Sequence, residues 1–181
     1  HDLKENKGAK TLKSFTRNTF PQGVSFLENR GFRIVQRIIK SEIDVSLIDF
    51  DRFQPLLDQV VAEGIKIVPL SNLMDGEERY LNQLEALYWV FVNDEPHTEP
   101  PKRLSVAELK KYYIENPNFY PDGWMIAVHG NKFIGWSALL LNKGEDDKME
   151  TGTTVIDRPY RRQGLATAMK VMGFKIGRAH V

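Results

Sequence analysis

The spacing of apolar positions changes several times along this chain, and each change marks an element. Residues 1–10 are polar and lysine-rich and predict a frayed tail. Residues 11–16 alternate weakly, as a strand does. Residues 20–30 read as a short helix, with Pro21 near its start and Gly31 just past its end. A β-branched run over 32–48 follows, with Phe32, Ile34, Gln36 and Ile38 on one face and Arg33, Val35, Arg37 and Ile39 on the other. Over 53–63 the spacing becomes helical (Phe53, Leu56, Leu57, Val60, Val61) and stops at Gly64.

A new strand is predicted over 65–68, then a long helix over 75–91 with Leu81, Leu84, Tyr88 and Phe91 on one face. A Pro-rich loop spans 93–103. Ser105 and Glu108 have capping-box spacing for a helix that ends near Asn116, before Pro117. Two apolar runs, 124–128 and 133–141, flank His129-Gly130-Asn131-Lys132 and predict a hairpin. A polar loop, 142–148, leads to a strand over 149–156 and a helix over 166–176.

Composition narrows the reading. The 181 residues carry a net charge of +1 and are 41% hydrophobic, enough for one domain with its own core. Near-neutral charge gives no support for nucleic acid or an anionic membrane as main partner. The chain has no cysteine, which excludes disulfides, a Cys nucleophile and Cys-ligated zinc, and fits a reducing, cytoplasmic location. No apolar run has membrane-span length. His1, His97, His129 and His180 show no metal-ligand spacing, so no metal is expected. Both ends look cut: the chain opens at His1 and closes on Ala179-His180-Val181 without a helix stop signal.

The candidate chemistry lies in Asp157-Arg158-Pro159-Tyr160-Arg161-Arg162-Gln163-Gly164-Leu165-Ala166. A strand, a turn rich in amides and a helix N-terminus together form an anion cradle, because the first helical N–H groups have no helical acceptor and the dipole favours negative charge. Gly164 lets backbone approach a ligand. Arg158, Arg161 and Arg162 add charged donors. No Lys-Ser/Thr follows a second glycine and no Gly-x-Gly-x-x-Gly occurs here, so this is neither a P-loop nor a dinucleotide fingerprint.

Arg161, Gly164 and Ala166 fit Gln/Arg-x-x-Gly-x-Gly/Ala. Placed after three antiparallel strands, this loop resembles the coenzyme-A signature of the GNAT N-acetyltransferases, and Gly135 stands where that family often has a glycine in its third strand. The resemblance implies an α+β fold built on a mixed α/β sheet. Further up the chain, Phe26-Leu27-Glu28-Asn29-Arg30-Gly31-Phe32 resembles the helix-to-strand corner that closes many GNAT domains. The chain thus resembles the end of one repeat of a tandem-GNAT enzyme (11–50), a linker helix (51–64) and the first two-thirds of a second repeat (65–181). On that layout, 11–48 would complete the sheet of 65–181, by circular permutation within one chain or by swapping in a homo-oligomer. An appendage that packs outside the sheet is the simpler alternative.

What the resemblance implies is transfer of an acetyl group from acetyl-CoA to a primary amine, on a small molecule or peptide, by direct attack in a ternary complex. Amides of 162–167 (Arg162, Gln163, Gly164, Leu165, Ala166, Thr167) and Arg161 would take the pyrophosphate. The edge at Val155 and Ile156 would pair with pantetheine, and the Ile156 N–H would receive the thioester oxygen. Glu150, eleven residues before Arg161, is the candidate base, pointing to the substrate side with Thr154 and Ile156 if those do; a solvated carboxylate beside Glu145-Asp146-Asp147 is the bland alternative. The position of the family's acid tyrosine is held by Leu27. Tyr160 reads as packing. Asp94, Glu95, His97 and Glu99 would attract a cationic acceptor, or form a solvated loop. Tyr112, Tyr113, Trp124 and Trp136 read as core before pocket. Two other functions stay open: a CoA-binding repeat without catalysis, regulatory or structural, and a segment that binds nothing.

Overall fold

A computed structural model describes residues 10–96, 100–145 and 147–180, the side chains of Glu77 and His180 excepted. Residues 1–9 of the expected tail, His97, Glu99 and Asp146 lie outside the described residues. The chain divides into two units, one ending at Ile43 and one beginning at Asp44. The boundary falls inside the segment read as a closing strand–helix–strand, and residues 51–64 belong to the second unit.

In the first unit, helix α1 (Pro21–Glu28) starts on a proline and is followed by Gly31 at φ +80°. The strands expected over 11–16 and 32–48 do not form, so this segment adds no strand to a sheet. Ile34, Val35, Ile38, Ile39 and Ile43 remain exposed. The physical reason is that β-branched alternation satisfies a strand only when a neighbour supplies the ladder and a face to cover.

The second unit opens with helix α2 (Gln54–Ala62), followed by strand β1 (Ile65–Pro69) and helix α3 (Glu77–Asp94). Helix α4 runs Val106–Leu109 and continues as a π-turn over Lys110–Ile114. Its capping box is made in both directions: Glu108 N–H donates to Ser105 Oγ at 3.2 Å, and Ser105 N–H donates to Glu108 at 2.8 Å. Strands β2 (Met125–His129), β3 (Lys132–Leu141) and β4 (Met149–Ile156) follow, then helix α5 (Leu165–His180). The hairpin turns at Gly130, at φ +60°.

The four strands form one antiparallel sheet in the order β1-β2-β3-β4, which leaves β4 at an edge. Each face has its own core. Trp124, Ile126, Trp136 and Ala138 pack with Leu81, Leu84 and Leu87 of α3 and Leu109 of α4. Met125, Ala127 and Ile134 pack with Val60 of α2 and Leu165, Ala168 and Met169 of α5. Trp124 and Trp136 are core, as expected, stacked with ring centroids 5.7 Å apart, and Tyr113 stands edge-on to Trp124 at 5.9 Å. Tyr112 is exposed.

Strict alternation fails in β4. Ser137 pairs with Thr154, but Leu139 pairs with Thr151, so β4 carries one extra residue there. The bulge reverses the expected facing of Glu150. Thr154 bonds Ser137 across the α5 face, Oγ to Oγ1 at 3.0 Å, whereas Glu150 pairs with Leu140, which packs on the α3 side. Glu150 is therefore on the face opposite Thr154 and Ile156.

Candidate functional site

The anion loop is built where β4 ends. Asp157 N–H donates to Ile134 O at 2.8 Å. That bond makes Gly135–Ile156 a pair whose own N–H and C=O groups point away from each other in the antiparallel ladder. Ile156 therefore presents both groups at the open edge of the sheet. Its carbonyl is taken by Arg161 Nε at 2.9 Å, and its N–H is left facing the edge. By the same alternation Thr154, not Val155, is the next residue whose backbone groups face outward.

Beyond a short turn over Arg158–Tyr160, Arg162 and Gly164 adopt positive φ, +63° and +77°. This turns the chain sharply into α5. Ala168 N–H bonds Gly164 O at 2.9 Å, so the amides of Leu165, Ala166 and Thr167 precede the first helical bond. A cleft of about 540 Å³ opens over these groups. One wall is Phe91, Asp94 and Glu95 at the end of α3; the other is Thr154–Ile156, Tyr160–Arg162 and Gly164–Thr167.

Of the expected cofactor residues, Val155, Ile156, Arg161, Arg162, Gly164, Leu165, Ala166 and Thr167 all line this one cleft. Gln163 does not; its side chain donates to Pro159 O at 3.4 Å. Glu150 does not line it either. The space beside Gly164 is also not what the loop alone suggests. A Cβ there would overlap Leu56 Cδ1 of α2, so the glycine makes room for a leucine as well as for a ligand.

Electrostatics reassign the acidic residues. Asp94 accepts from Arg158 Nη2 at 2.7 Å and from Arg161 Nη2. The Arg161 bond first, then the Arg158 bond, hold its carboxyl below the usual carboxylate range. Asp94 is therefore spoken for by the loop arginines and does not serve as a free charge for an acceptor. Arg162 takes no part in that cluster. Burial raises the pKa of Tyr88 and Tyr113; Glu95, the other carboxylate of the cleft, adds to the rise at Tyr88, and Tyr88 followed by Glu95 adds to it at Tyr113. Tyr160, besides packing on the α5-side core, brings its hydroxyl to 3.1 Å from His129 Nδ1. At the base of the loop, Lys132 bonds Asp157 at 2.6 Å, which raises the lysine pKa.

Sequence reasoning missed Phe91, Thr154 and the role of Asp94. A signal for Asp94 existed: a carboxylate on the last residue of a helix opposes the dipole and calls for a cationic partner. Among the described residues no cluster has the makings of a metal site, and no helix is long and apolar enough to cross a membrane.

Residues 82–172, half of the chain, match the model of the acetyltransferase (GNAT) family. A probable ATP-dependent DNA helicase, CHR12 of Arabidopsis thaliana, is 26% identical over 141 residues, 75% of this chain; the chain spans 10% of that relative's length. Among solved structures, Ard1 from Thermoplasma volcanium superposes with a TM-score of 0.43 at 14% identity, over 65% of this chain and 66% of that one. A GCN5-related N-acetyltransferase from Sphaerobacter thermophilus gives 0.41 at 19% identity, over 64% of this chain and 33% of that one.

Proposed function

From the premise that this chain belongs to the GNAT acetyltransferase family, we propose that its cleft holds acetyl-CoA and that the acetyl group passes to a primary amine by direct attack. The observation that carries this reading is the convergence at one cleft of the unpaired amides of Leu165, Ala166 and Thr167 with the outward N–H of Ile156 at the open edge of β4.

Each group has a task. The α5 amides and Arg162 take the pyrophosphate, where the helix dipole also favours charge. The pantetheine amides add to the β4 edge at Thr154 and Ile156, as an extended peptide does. The Ile156 N–H faces the thioester oxygen, and a preorganised donor there is worth roughly 10²–10³ in rate. Arg161 holds the Ile156 carbonyl and Asp94 at once, so it fixes the strand end rather than reaching for phosphate. The acceptor enters beside Glu95 and Phe91. Its amine must lose a proton before attack, because an alkylamine with pKa about 10.4 is mostly charged at neutral pH.

The tetrahedral intermediate then collapses with release of the CoA thiolate. Glu150 retains its candidacy as base only through a water chain, since the bulge turns it from Thr154 and Ile156. That observation favours a second reading, a CoA-binding domain without catalysis. Two assays separate the readings. A rise in Tm with acetyl-CoA supports the cofactor, and a flat Tm rejects both readings. Amine-dependent thiol release then supports the enzyme; an unchanged rate in Glu150→Gln removes Glu150 as base.

A further inference from the structure

Helix α2 precedes the sheet and lies outside residues 82–172, yet its Leu56 packs directly on the loop of the cleft. At the far end, Leu56 fills the space where Gly164 lacks a side chain: a Cβ would overlap Leu56 Cδ1 and stand 3.5 Å from Cγ and Cδ2. At the near end, Tyr160 packs in the same apolar cluster as Leu56. Its ring is edge-on to His129 at 5.7 Å, and a Cβ on Gly64, where α2 has just stopped, would lie 3.9 Å from that histidine.

The loop between these points needs outside support. Arg162 sits at φ +63°, a strained conformation for a non-glycine residue that persists only when its surroundings impose it. Arg161 is tied to Ile156 O at 2.9 Å and to Asp94, but the other bonds of the loop are long, Arg161 N–H to Arg158 O at 3.3 Å and Gln163 to Pro159 O at 3.4 Å. None of these bonds reaches Arg162 or Gly164, and packing from α2 supplies the contact at Gly164.

We infer that α2 is a clamp on this loop and that Leu56 is a positioning residue: it holds the loop with its amides turned towards the cleft, and so sets the affinity for the cofactor. The consequence for the cofactor rests on the function proposed above; the clamp itself does not. A helix from outside the matched region thereby becomes part of the binding site without touching the ligand.

The test compares Leu56→Ala with Val60→Ala in the full chain. Val60 is on the same helix and buried to 1% exposure, while the three atoms nearest a Gly164 Cβ all belong to Leu56. Amide hydrogen exchange is read without ligand. In Leu56→Ala, exchange of the Ala168 amide, which bonds Gly164 O, rises about tenfold, an opening cheaper by about 1.4 kcal/mol. In Val60→Ala, α2 and β1 loosen while Ala168 keeps its rank among the amides. Leu56→Val gives the same pattern at smaller size and serves if the alanine variant fails to fold; Leu56→Met restores the wild-type pattern.

Acetyl-CoA titration follows: Kd rises in Leu56→Ala by the factor by which the binding-competent loop is depopulated, and stays at the wild-type value in Val60→Ala, with the acceptor KM unchanged. Equal exchange changes at Ala168 in the Leu56 and Val60 variants, or none in either, overturn the clamp. A wild type that binds no acetyl-CoA overturns the proposed function, while the exchange pattern still decides the clamp.

Discussion

Gly135→Ala places one methyl group where the sheet has no room for it. Gly135 lies on β3 opposite Ile156, on the face that α5 covers. A Cβ there would stand 2.8 Å from Val155 O, 2.8 Å from Ile156 Cδ1 and 3.3 Å from Met169 Cε. The two side-chain ends can rotate away; the carbonyl cannot. Val155 pairs with Trp136, so moving its oxygen means parting β3 from β4 at the point where the edge meets the cleft.

Overpacking of this kind costs about 1–3 kcal/mol, and the backbone neighbour places this site at the upper end. For a chain of this length each kcal/mol lowers Tm by about 2–4 °C, so Gly135→Ala should melt roughly 4–12 °C below wild type. Acetyl-CoA affinity should fall as well, because Ile156 moves with Val155. Gly144→Ala is the control: its loop glycine would meet nothing closer than 3.6 Å. Thermal and denaturant unfolding measure the first effect and calorimetric titration the second. A Gly135→Ala protein as stable as Gly144→Ala would refute the argument from close approach.

Two further outcomes follow from charge. Asp94→Ala releases two guanidinium groups beside the cradle, so acetyl-CoA binding should become more salt-dependent; equal salt slopes in variant and wild type would place those arginines outside the ligand's field. In the wild type the depressed Asp94 pKa means that the bridge contributes above the unfolded value, about 3.9, and is lost as pH falls through the lower folded value. Lys170 is half-buried, and burial lowers its pKa. Its charged form is disfavoured by folding, so stability rises with pH between the folded and unfolded values, and Lys170→Met should raise Tm most near neutral pH, with the gain shrinking at alkaline pH. A gain that does not shrink would assign the effect to packing.

Local signals were legible in the sequence. The 129–132 turn, the Ser105–Glu108 box, the strand over 149–156 and the run of amides before α5 all depend on neighbours a few residues apart, and each formed where expected. What depends on distant partners was not legible. The run over 32–48 has strand composition, but composition supplies no second strand to pair with it. The β4 bulge is invisible to an alternation count, because one extra residue between Thr151 and Thr154 exchanges the faces. Asp94 lies 67 residues from Arg161, and no local pattern joins them. Leu56 read as an ordinary member of an amphipathic stripe, although it also fills the gap at Gly164.

The central claim is that one cleft binds acetyl-CoA through the α5 amides and the β4 edge. Amide-resolved NMR during an acetyl-CoA titration tests it most directly. The account predicts shifts that saturate together at Thr154, Ile156 and 162–167, with the Ile156 and Leu165–Thr167 amides moving as they gain acceptors. Shifts confined to other parts of the sheet, or none at saturating acetyl-CoA, would contradict it.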